Sequence, residues 1–267
     1  MWQSVARTIA ALTAGDDGVR QYDIAAERIQ SALLNIVVPD VAGLDVGVHA
    51  EPARLVGGDY IDVFMRAGKL LFGLGDASGK SLGAAINALM LRYLLRGLVQ
   101  VLGAEQLAAI VRHSNSVVIE DFEETDYFIT LLVGTLDPAS GLLSIVNAGH
   151  EPPLILRHEA ATVEVMTIHG LVIGVDARAD YRVEETTLGI GDRVVLYTDG
   201  LTEATNERGE LFTLERLQEK FLEHRYLPSQ ELADRLFDDV KLYSHDALRD
   251  DTTILVLRRV GDPLTTH

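Results

Sequence analysis

Several apolar runs in this sequence lead into or out of aspartate beside a glycine-rich or polar turn. They are VGGDYID with Asp59, FGLGDASGK with Asp76, VVLYTDG with Asp199, and RDDTTILVL with Asp250 and Asp251. Runs bounded in this way are typical of β-strands, and strands from distant parts of a chain can end at one edge of a sheet. Carboxylates at contact distance repel each other unless a cation lies between them, and Mg²⁺ or Mn²⁺ with oxygen ligands is the simplest such cation. The pattern therefore predicts a sheet protein with a metal centre at its strand ends, as in a metal-dependent hydrolase.

The charge and the cysteine content exclude several other classes of function. The chain carries 40 Asp and Glu against 23 Lys and Arg, a formal net charge of −17. Such a field repels nucleic acid and anionic lipid, so we expect neither as a partner. The absence of cysteine excludes disulfides, thiolate zinc sites and cysteine-nucleophile catalysis. The N-terminal residues show no secretory signal, and we expect a cytoplasmic protein.

Residues 19–38 carry a heptad-like apolar pattern that predicts a helix ahead of the main domain. The apolar positions step by four, three, four and three residues, and they are Tyr22, Ala26, Ile29, Leu33 and Ile36. Two interpretations remain open: the helix lies on its own domain, or it pairs with a second copy in a homodimer and transmits a signal. We divide the chain into a helical linker or regulatory segment, residues 1–40, and a catalytic domain, residues 41–262.

Strand and helix patterns alternate in blocks after Pro39. The predicted strands are 46–50, 61–66, 70–74, 128–136, 142–147, 154–157, 162–167, 181–187, 193–197 and 253–258. The predicted helices are 82–102, 104–121, 214–224 and 229–243. Short turns join most of these elements, which favours antiparallel sheets flanked by helices over a parallel βαβ array. The sequence thus predicts an α+β protein.

The alternation of side chains along a strand separates two neighbouring aspartates. Asp59 and Asp62 fall on opposite faces of the same strand, so only one of them reaches the site easily, and Asp59 beside the glycines is the better candidate. The GKS sequence that ends at Ser81 does not make a phosphate-binding loop, because the required earlier glycine is Leu74. Lys80 is then a residue of a loop or helix start.

Five motifs in one order resemble the PPM-type protein phosphatases, and in particular their bacterial SpoIIE/RsbU branch, related to protein phosphatase 2C. The motifs are PARLVGGDYIDV, GDASGK, TLDPASGLLSIVNAGHEPPLIL, GDRVVLYTDGLTEATNERGELF and RDDTTILVL. The resemblance extends over residues 22–259. It implies an αββα sandwich, in which two stacked antiparallel sheets are flanked by helix layers and metals bind at one edge.

The same resemblance implies a set of ligands for two Mn²⁺ or Mg²⁺ ions. Asp76 would bridge the ions, with the Ala77 carbonyl oxygen as a neighbouring ligand. Asp199 and Asp250 would complete one ion, and Asp59 would bind the other directly or through water. Asp251 matches a position beside the ligand, and its role stays open. Water would attack phosphorus directly, without a phospho-enzyme.

The roles of five further residues stay open. Arg54, five residues before Asp59, is either a phosphate ligand that grips two oxygens or a surface arginine. His150 in NAGH is either a general acid or part of a structural turn, and we favour the turn. Asn147 and Glu203 either support the ligands or stabilise turns. Ser78 stands where eukaryotic relatives have a histidine, which leaves the proton donor to the leaving group open.

The resulting expectation is a Mn²⁺/Mg²⁺-dependent phosphoserine/phosphothreonine protein phosphatase. By resemblance alone, its substrate is a phosphorylated STAS-type anti-sigma-factor antagonist in a partner-switching pathway, which links the enzyme to sigma-factor regulation and stress response. The alternative is a catalytically silent module of the same fold that binds phosphoproteins. A third interpretation takes GGDY as a degenerate cyclic-dinucleotide synthase signature, but it explains neither the TDG nor the DDTT motif.

Overall fold

Two antiparallel five-stranded sheets are stacked in the computed structural model, which describes residues 26, 29–30, 33, 36–79, 82–122 and 127–261. The first sheet has the order β1-β10-β9-β6-β7, with β1 Leu44–Glu51, β10 Thr252–Arg259, β9 Arg193–Tyr197, β6 Leu154–Arg157 and β7 Thr162–Val165. The second has the order β2-β3-β4-β5-β8, with β2 Asp59–Arg66, β3 Lys69–Ala77, β4 Ile129–Leu136, β5 Leu142–Ala148 and β8 Glu184–Thr187.

Helix pairs cover the outer face of each sheet. The helices are α1 Leu82–Leu102 and α2 Leu107–Phe122 on the second sheet, and α3 Leu214–Glu223 and α4 Ser229–Tyr243 on the first. Strand alternation explains the layering, because Phe72 and Leu74 of β3 face the other sheet whereas Leu71 faces α1 and α2. The predicted α+β sandwich is confirmed.

Helix α1 is long and apolar enough to cross a membrane by length and composition, the one such helix within the described residues. Half of its most apolar stretch is buried. The buried side chains, among them Ala84, Ala88 and Leu91, pack in the core between α1, α2 and the second sheet. This packing is that of a core helix in a globular domain.

Several boundaries differ from the sequence patterns. Strand β2 begins at Asp59 instead of 61, β3 ends at Ala77 instead of 74, and α2 begins at Leu107 instead of 104.

Two short strands are shorter than predicted. Strand β7 ends at Val165 instead of 167, and β8 begins at Glu184 instead of 181. The intervening segment is held as a loop on α2, since Asn115 accepts a hydrogen bond from Gly174 N at 2.8 Å and donates one to Asp176 O at 2.9 Å. Tyr181 is buried in the helix-side core and does not extend β8.

The described part of the N-terminal apolar pattern contacts its own domain. Ala26 and Leu33 have helical backbone and are 0% and 1% exposed, in the same hydrophobic core as α1 and α2. Ile29 packs against that core, and Ile36 packs between the sheets. Tyr22 lies outside the described residues. These contacts favour the interpretation in which the helix lies on its own domain.

Candidate metal centre

Asp59 and Asp76 lie directly opposite each other at one end of the second sheet. Asp59 is the first residue of β2, and the β2–β3 register pairs it with Asp76 near the end of β3. Strand alternation places both on the face of Ile61 and Leu74, which point towards the first sheet. The antiparallel hairpin therefore brings together two aspartates that are 17 positions apart in the sequence.

The carboxylate of Asp59 is bound by two threonines of the first sheet. Its Oδ2 accepts hydrogen bonds from Thr198 Oγ1 at 2.9 Å and from Thr253 Oγ1 at 2.6 Å. Burial raises the pKa of Asp59 well above its usual value, and the nearby carboxylates of Asp76 and Asp251 raise it further. Asp59 is thus a buried carboxyl group in an environment that favours a neighbouring cation.

The two threonines carry the other predicted ligands to the same edge. Thr198 directly precedes Asp199 in the turn after β9, and Thr253 follows Asp250 by three positions at the start of β10. Thr198 N donates to Thr253 O at 3.0 Å, which joins the two segments. The turns are in contact, because a Cβ on Gly200 would lie 2.0 Å from Asp251 O.

Asp251 has a structural role that the sequence left open. Its Oδ1 accepts a hydrogen bond from Ala53 N at 2.9 Å, and its Oδ2 accepts one from Gly58 N at 2.7 Å. The side chain is buried and fixes the loop between β1 and β2, directly ahead of Asp59. Both of its carboxylate oxygens are therefore engaged in holding the backbone of the site.

Gly58 leaves space for oxygen ligands to converge. A Cβ at this position would lie 2.6 Å from Ala77 O and 3.1 Å from Asp76 Oδ1. Ala77 N donates to Gly58 O at 3.1 Å, and Ser78 exchanges backbone and side-chain hydrogen bonds with Phe128 at 2.9 and 3.0 Å. The carbonyl of Ala77 and the carboxylate of Asp76 thus share a small space that a side chain at position 58 would fill.

His150 is a buried support of the Asp76 strand. Its Nδ1 pairs with Thr130 Oγ1 at 2.8 Å, and that hydroxyl accepts a hydrogen bond from Asp76 N at 3.3 Å. Asn147 closes the turn by accepting from His150 N at 2.7 Å and donating to His150 O at 2.9 Å. Burial lowers the pKa of His150 to about 4, so the ring is neutral at pH 7. These contacts support the structural interpretation of the NAGH turn over a general acid.

Glu151 belongs to this edge, although sequence reasoning did not single it out. The side chain is half-buried, and burial raises its pKa, with further increases from Asp199 and Glu203. Glu203 itself is exposed, and its backbone N donates to Asp199 O at 2.8 Å. The sequence signal that could have identified Glu151 is its position directly after His150.

Two other predicted residues lie in different settings. Asp62 points away from the site and is bound beneath α1, where Arg96 donates to both of its oxygens at 2.5 and 2.7 Å and Arg92 to one at 3.4 Å. This is the face that strand alternation predicted. Arg54 is exposed in the bend between β1 and β2, four residues ahead of Gly58.

The donor set fits a hard divalent ion. Within the described ranges, no three His, Asp or Glu side chains are grouped closely enough to hold a metal ion. Mg²⁺ typically keeps several waters and binds through one or two carboxylates, so the paired Asp59 and Asp76 with the Ala77 carbonyl oxygen satisfy its chemistry. The crowding of carboxylates around the buried Asp59 supplies the electrostatic reason for such an ion.

Comparisons with known proteins place these motifs in a family. The model of the family Stage II sporulation protein E (SpoIIE) matches residues 66–260 of this chain. The chain is 30% identical over 241 residues to the phosphoserine phosphatase RsbU of Bacillus subtilis, an alignment that covers 90% of this chain and 70% of RsbU.

Solved structures share the same architecture. The PP2C domain of SiaA from Pseudomonas aeruginosa superposes with a TM-score of 0.78 at 23% identity, over 92% of this chain and 99% of that domain. The catalytic domain of the serine/threonine phosphatase PstP, solved in complex with two manganese ions, superposes with a TM-score of 0.60 at 18% identity, over 82% of this chain and 99% of that domain. At these identities the likeness concerns the fold.

Proposed function

The chain belongs to the SpoIIE family and is a PP2C-type serine/threonine phosphatase of the RsbU and SpoIIE type; on that basis we propose that it hydrolyses phosphoserine or phosphothreonine in a protein with the help of two Mn²⁺ or Mg²⁺ ions. The observation that carries this proposal is the pairing of Asp59 with Asp76 at the strand ends where Thr198 and Thr253 bind Asp59.

Each chain residue has a defined task in this proposal. Asp76 and the Ala77 carbonyl would hold the ions at the end of β3, Asp59 would bind one of them, and Asp199 and Asp250 would complete the other. When bound, two such ions activate water and neutralise charge on the phosphoryl oxygens. The same cations offset the repulsion among the crowded carboxylates, and they are needed for hydrolysis of the substrate.

The protein contributes orientation as well as ligands. Asp251 fixes the loop ahead of Asp59 through Ala53 N and Gly58 N, and His150 supports Asp76 through Thr130. Arg54, on the exposed bend of that loop, would grip phosphate oxygens of the substrate. Its guanidinium can donate two parallel hydrogen bonds, which suits a phosphoryl group.

The substrate and the organisation of the chain are part of the same proposal. The substrate would be a phosphorylated STAS-type anti-sigma-factor antagonist in the cytoplasm. The likeness to RsbU, a phosphoserine phosphatase that is 30% identical over 90% of this chain, supports phosphoserine as the group that is hydrolysed. Residues 1–40 would act as a regulatory segment for the domain at 41–262. A homodimer through the N-terminal helix stays a separate prediction, since Ala26 and Leu33 are buried in the core of their own domain.

The test is phosphate release from a phosphoserine-bearing STAS-type protein. We expect release by wild type with Mn²⁺, none with EDTA, and a loss of at least about 100-fold in Asp199→Asn, since removing one charged metal ligand costs several kcal/mol. Asp180→Asn, a change of the same type at a side chain that is 67% exposed, is the control and should keep full activity. Tight binding of the phosphoprotein without any release would instead identify a silent binding module.

A further inference from the structure

An exposed aromatic residue lies on the strand next to the candidate metal ligands of β3. Phe128 directly precedes β4, and its side chain is 40% exposed. The β3–β4 register ends with Ala77 opposite Ile129. The next row joins Ser78 to Phe128, since Ser78 N donates to Phe128 O at 2.9 Å. Phe128 is therefore one row beyond the Ala77 carbonyl that we assign to the metal centre.

Strand alternation places Phe128 on the same face of the sheet as the paired aspartates. Asp76 lies opposite Thr130, and Thr130 is two positions after Phe128. Ile129, between them, is buried in the core beneath α1 and α2, which is the other face. Side chains in such a diagonal relationship across two strands are about 7–8 Å apart, within reach of an aromatic ring. Phe128 thus borders the metal centre on the side of β4.

The backbone of Phe128 is fixed by both neighbours in its row. Its N donates to Ser78 Oγ at 3.0 Å, which continues the hydrogen bonding beyond the end of β3. Ile129 and Ile173 exchange backbone hydrogen bonds at 3.0 and 2.9 Å. Their antiparallel register sets Gly174 beside Phe128 on the other side. Because Ser78 is small and Gly174 has no side chain, neither neighbour carries a group large enough to cover the ring.

A phosphoserine that reaches the metal centre brings the adjoining residues of its own chain to this rim. In an extended segment, alternate side chains point to the same side and are about 6–7 Å apart. The residue two positions from the phosphoserine then lies at about the distance that separates Phe128 from Asp76. An exposed aromatic ring on a fixed backbone offers a large apolar contact at low cost in conformational entropy.

We propose, on the basis of the phosphatase function above, that Phe128 is a specificity-determining residue that binds an apolar side chain of the substrate, two positions from its phosphoserine. The ring removes apolar surface of that side chain from water and offers no strong hydrogen bond, so a polar side chain of similar shape binds less tightly. Arg54 precedes β2, on the other side of β3 in the sheet, and would contact the phosphate itself. The substrate class selected is thus a phosphoserine segment with apolar flanking residues.

The test compares two peptides in which a phosphonate analogue that water does not cleave replaces phosphoserine. One peptide carries Leu two positions before and two positions after the analogue, and the other carries Asn, a polar side chain of similar shape. Fluorescence anisotropy with wild-type protein and Mn²⁺ should show about 3- to 10-fold tighter binding of the Leu peptide, as expected for partial burial of one leucine side chain. Phe128→Ala should abolish this preference, and Phe128→Leu should keep part of it.

Tyr226→Ala is the matched control, because it also removes an exposed aromatic side chain, at the other end of the first sheet. The next residue, Leu227, accepts a hydrogen bond from Arg193, with which β9 begins, whereas Asp199 follows the end of β9. Tyr226→Ala should therefore keep the preference for the Leu peptide. Thermal unfolding of each variant verifies that the compared proteins are folded.

Equal affinity of wild type for both peptides, or a preference that survives Phe128→Ala, would overturn the assignment. A preference that Tyr226→Ala also removes would overturn it as well. Phosphate release from p-nitrophenyl phosphate by wild type, measured in parallel, tests the proposed phosphatase function separately. Release without a preference would retain the function and reject the role of Phe128, and a preference that depends on Phe128 without release would support the contact and reject the function.

Discussion

Asp59 lies directly opposite Asp76 across the β2–β3 ladder, and Asp59 is only 8% exposed. Burial and the Asp76 charge raise its pKa, so in the metal-free protein an ionised Asp59 opposes folding. A raised carboxyl pKa contributes stability at low pH that is lost as the pH rises through the folded-state value. We therefore expect Asp59→Asn to raise the melting temperature of the EDTA-treated protein at pH 7.

The same substitution should abolish Mn²⁺-dependent activity, because it removes a carboxylate that we assign to the metal centre. Thermal unfolding with and without Mn²⁺ separates the two effects. The amide oxygen can still accept from Thr198 and Thr253, so packing is retained. A lower melting temperature in EDTA would show that Asp59 is not electrostatically destabilising.

Asp251 and its neighbour Asp250 should differ when substituted. Asp251→Ala removes the acceptor for two backbone amides, Ala53 N and Gly58 N, and should destabilise the metal-free protein by about 3 kcal/mol. Asp250→Ala should eliminate activity, because we assign Asp250 to the metal centre; it also removes the acceptor for Asp251 N at 3.0 Å. Urea unfolding in EDTA, together with phosphatase assays, measures both variants. If Asp251→Ala left the stability in EDTA unchanged, the assignment of Asp251 as the loop anchor would be wrong.

The buried His150 should make stability depend on pH. Burial lowers its folded-state pKa to about 4, below the usual value near 6.5. Between these values the unfolded state binds more protons, so this contribution to stability is complete above about pH 6.5 and falls as the pH decreases towards 4. The full contribution of His150 to the free energy of unfolding is about 3 kcal/mol, and about 2 kcal/mol of it is lost by pH 5.

Urea unfolding at pH 7 and pH 5 checks this expectation for wild type and His150→Gln. The variant lacks the titrating ring, so only wild type loses this contribution to stability. The difference in the free energy of unfolding between the two proteins should therefore be about 2 kcal/mol smaller at pH 5 than at pH 7. If His150 were a general acid instead, the pH–activity profile of wild type would have a limb near neutral pH that reports its titration. That limb would be absent from the profile of His150→Gln. A constant stability difference between the two proteins would argue against a neutral, buried imidazole.

Much of the prediction from sequence rests on the alternation of side chains along the strands. It assigned Asp59 to the face that carries the site and Asp62 to the opposite face. On that opposite face Arg96 donates a hydrogen bond to Asp62. It could not assign Asp251, since a carboxylate that binds backbone amides and one that binds metal have the same local sequence. Whether a half-buried Glu151 lies beside Asp199 depends on how two distant turns meet, which no local periodicity encodes.

Gln30 connects the N-terminal helix to the same loop. Its Oε1 accepts a hydrogen bond from Gly57 N at 2.8 Å, and the next amide, Gly58 N, is bound by Asp251. Gln30→Ala would leave the buried Gly57 amide without this acceptor, at a cost of about 1–2 kcal/mol. Because that loop leads into Asp59, we expect the Mn²⁺ concentration for half-maximal activity to rise about 5- to 30-fold.

The control is Gln230→Ala, which removes a side-chain amide bound to Val48 N and O on β1, an edge strand of the first sheet. It should lower stability by a similar amount without changing the Mn²⁺ requirement. Titration of activity with Mn²⁺ and thermal unfolding in EDTA distinguish the two variants. A parallel fall in stability with an unchanged Mn²⁺ requirement in Gln30→Ala would mean that the N-terminal helix only packs on the domain. A selective change in the Mn²⁺ requirement would mean that the position of this helix controls the metal centre through the backbone of Gly57.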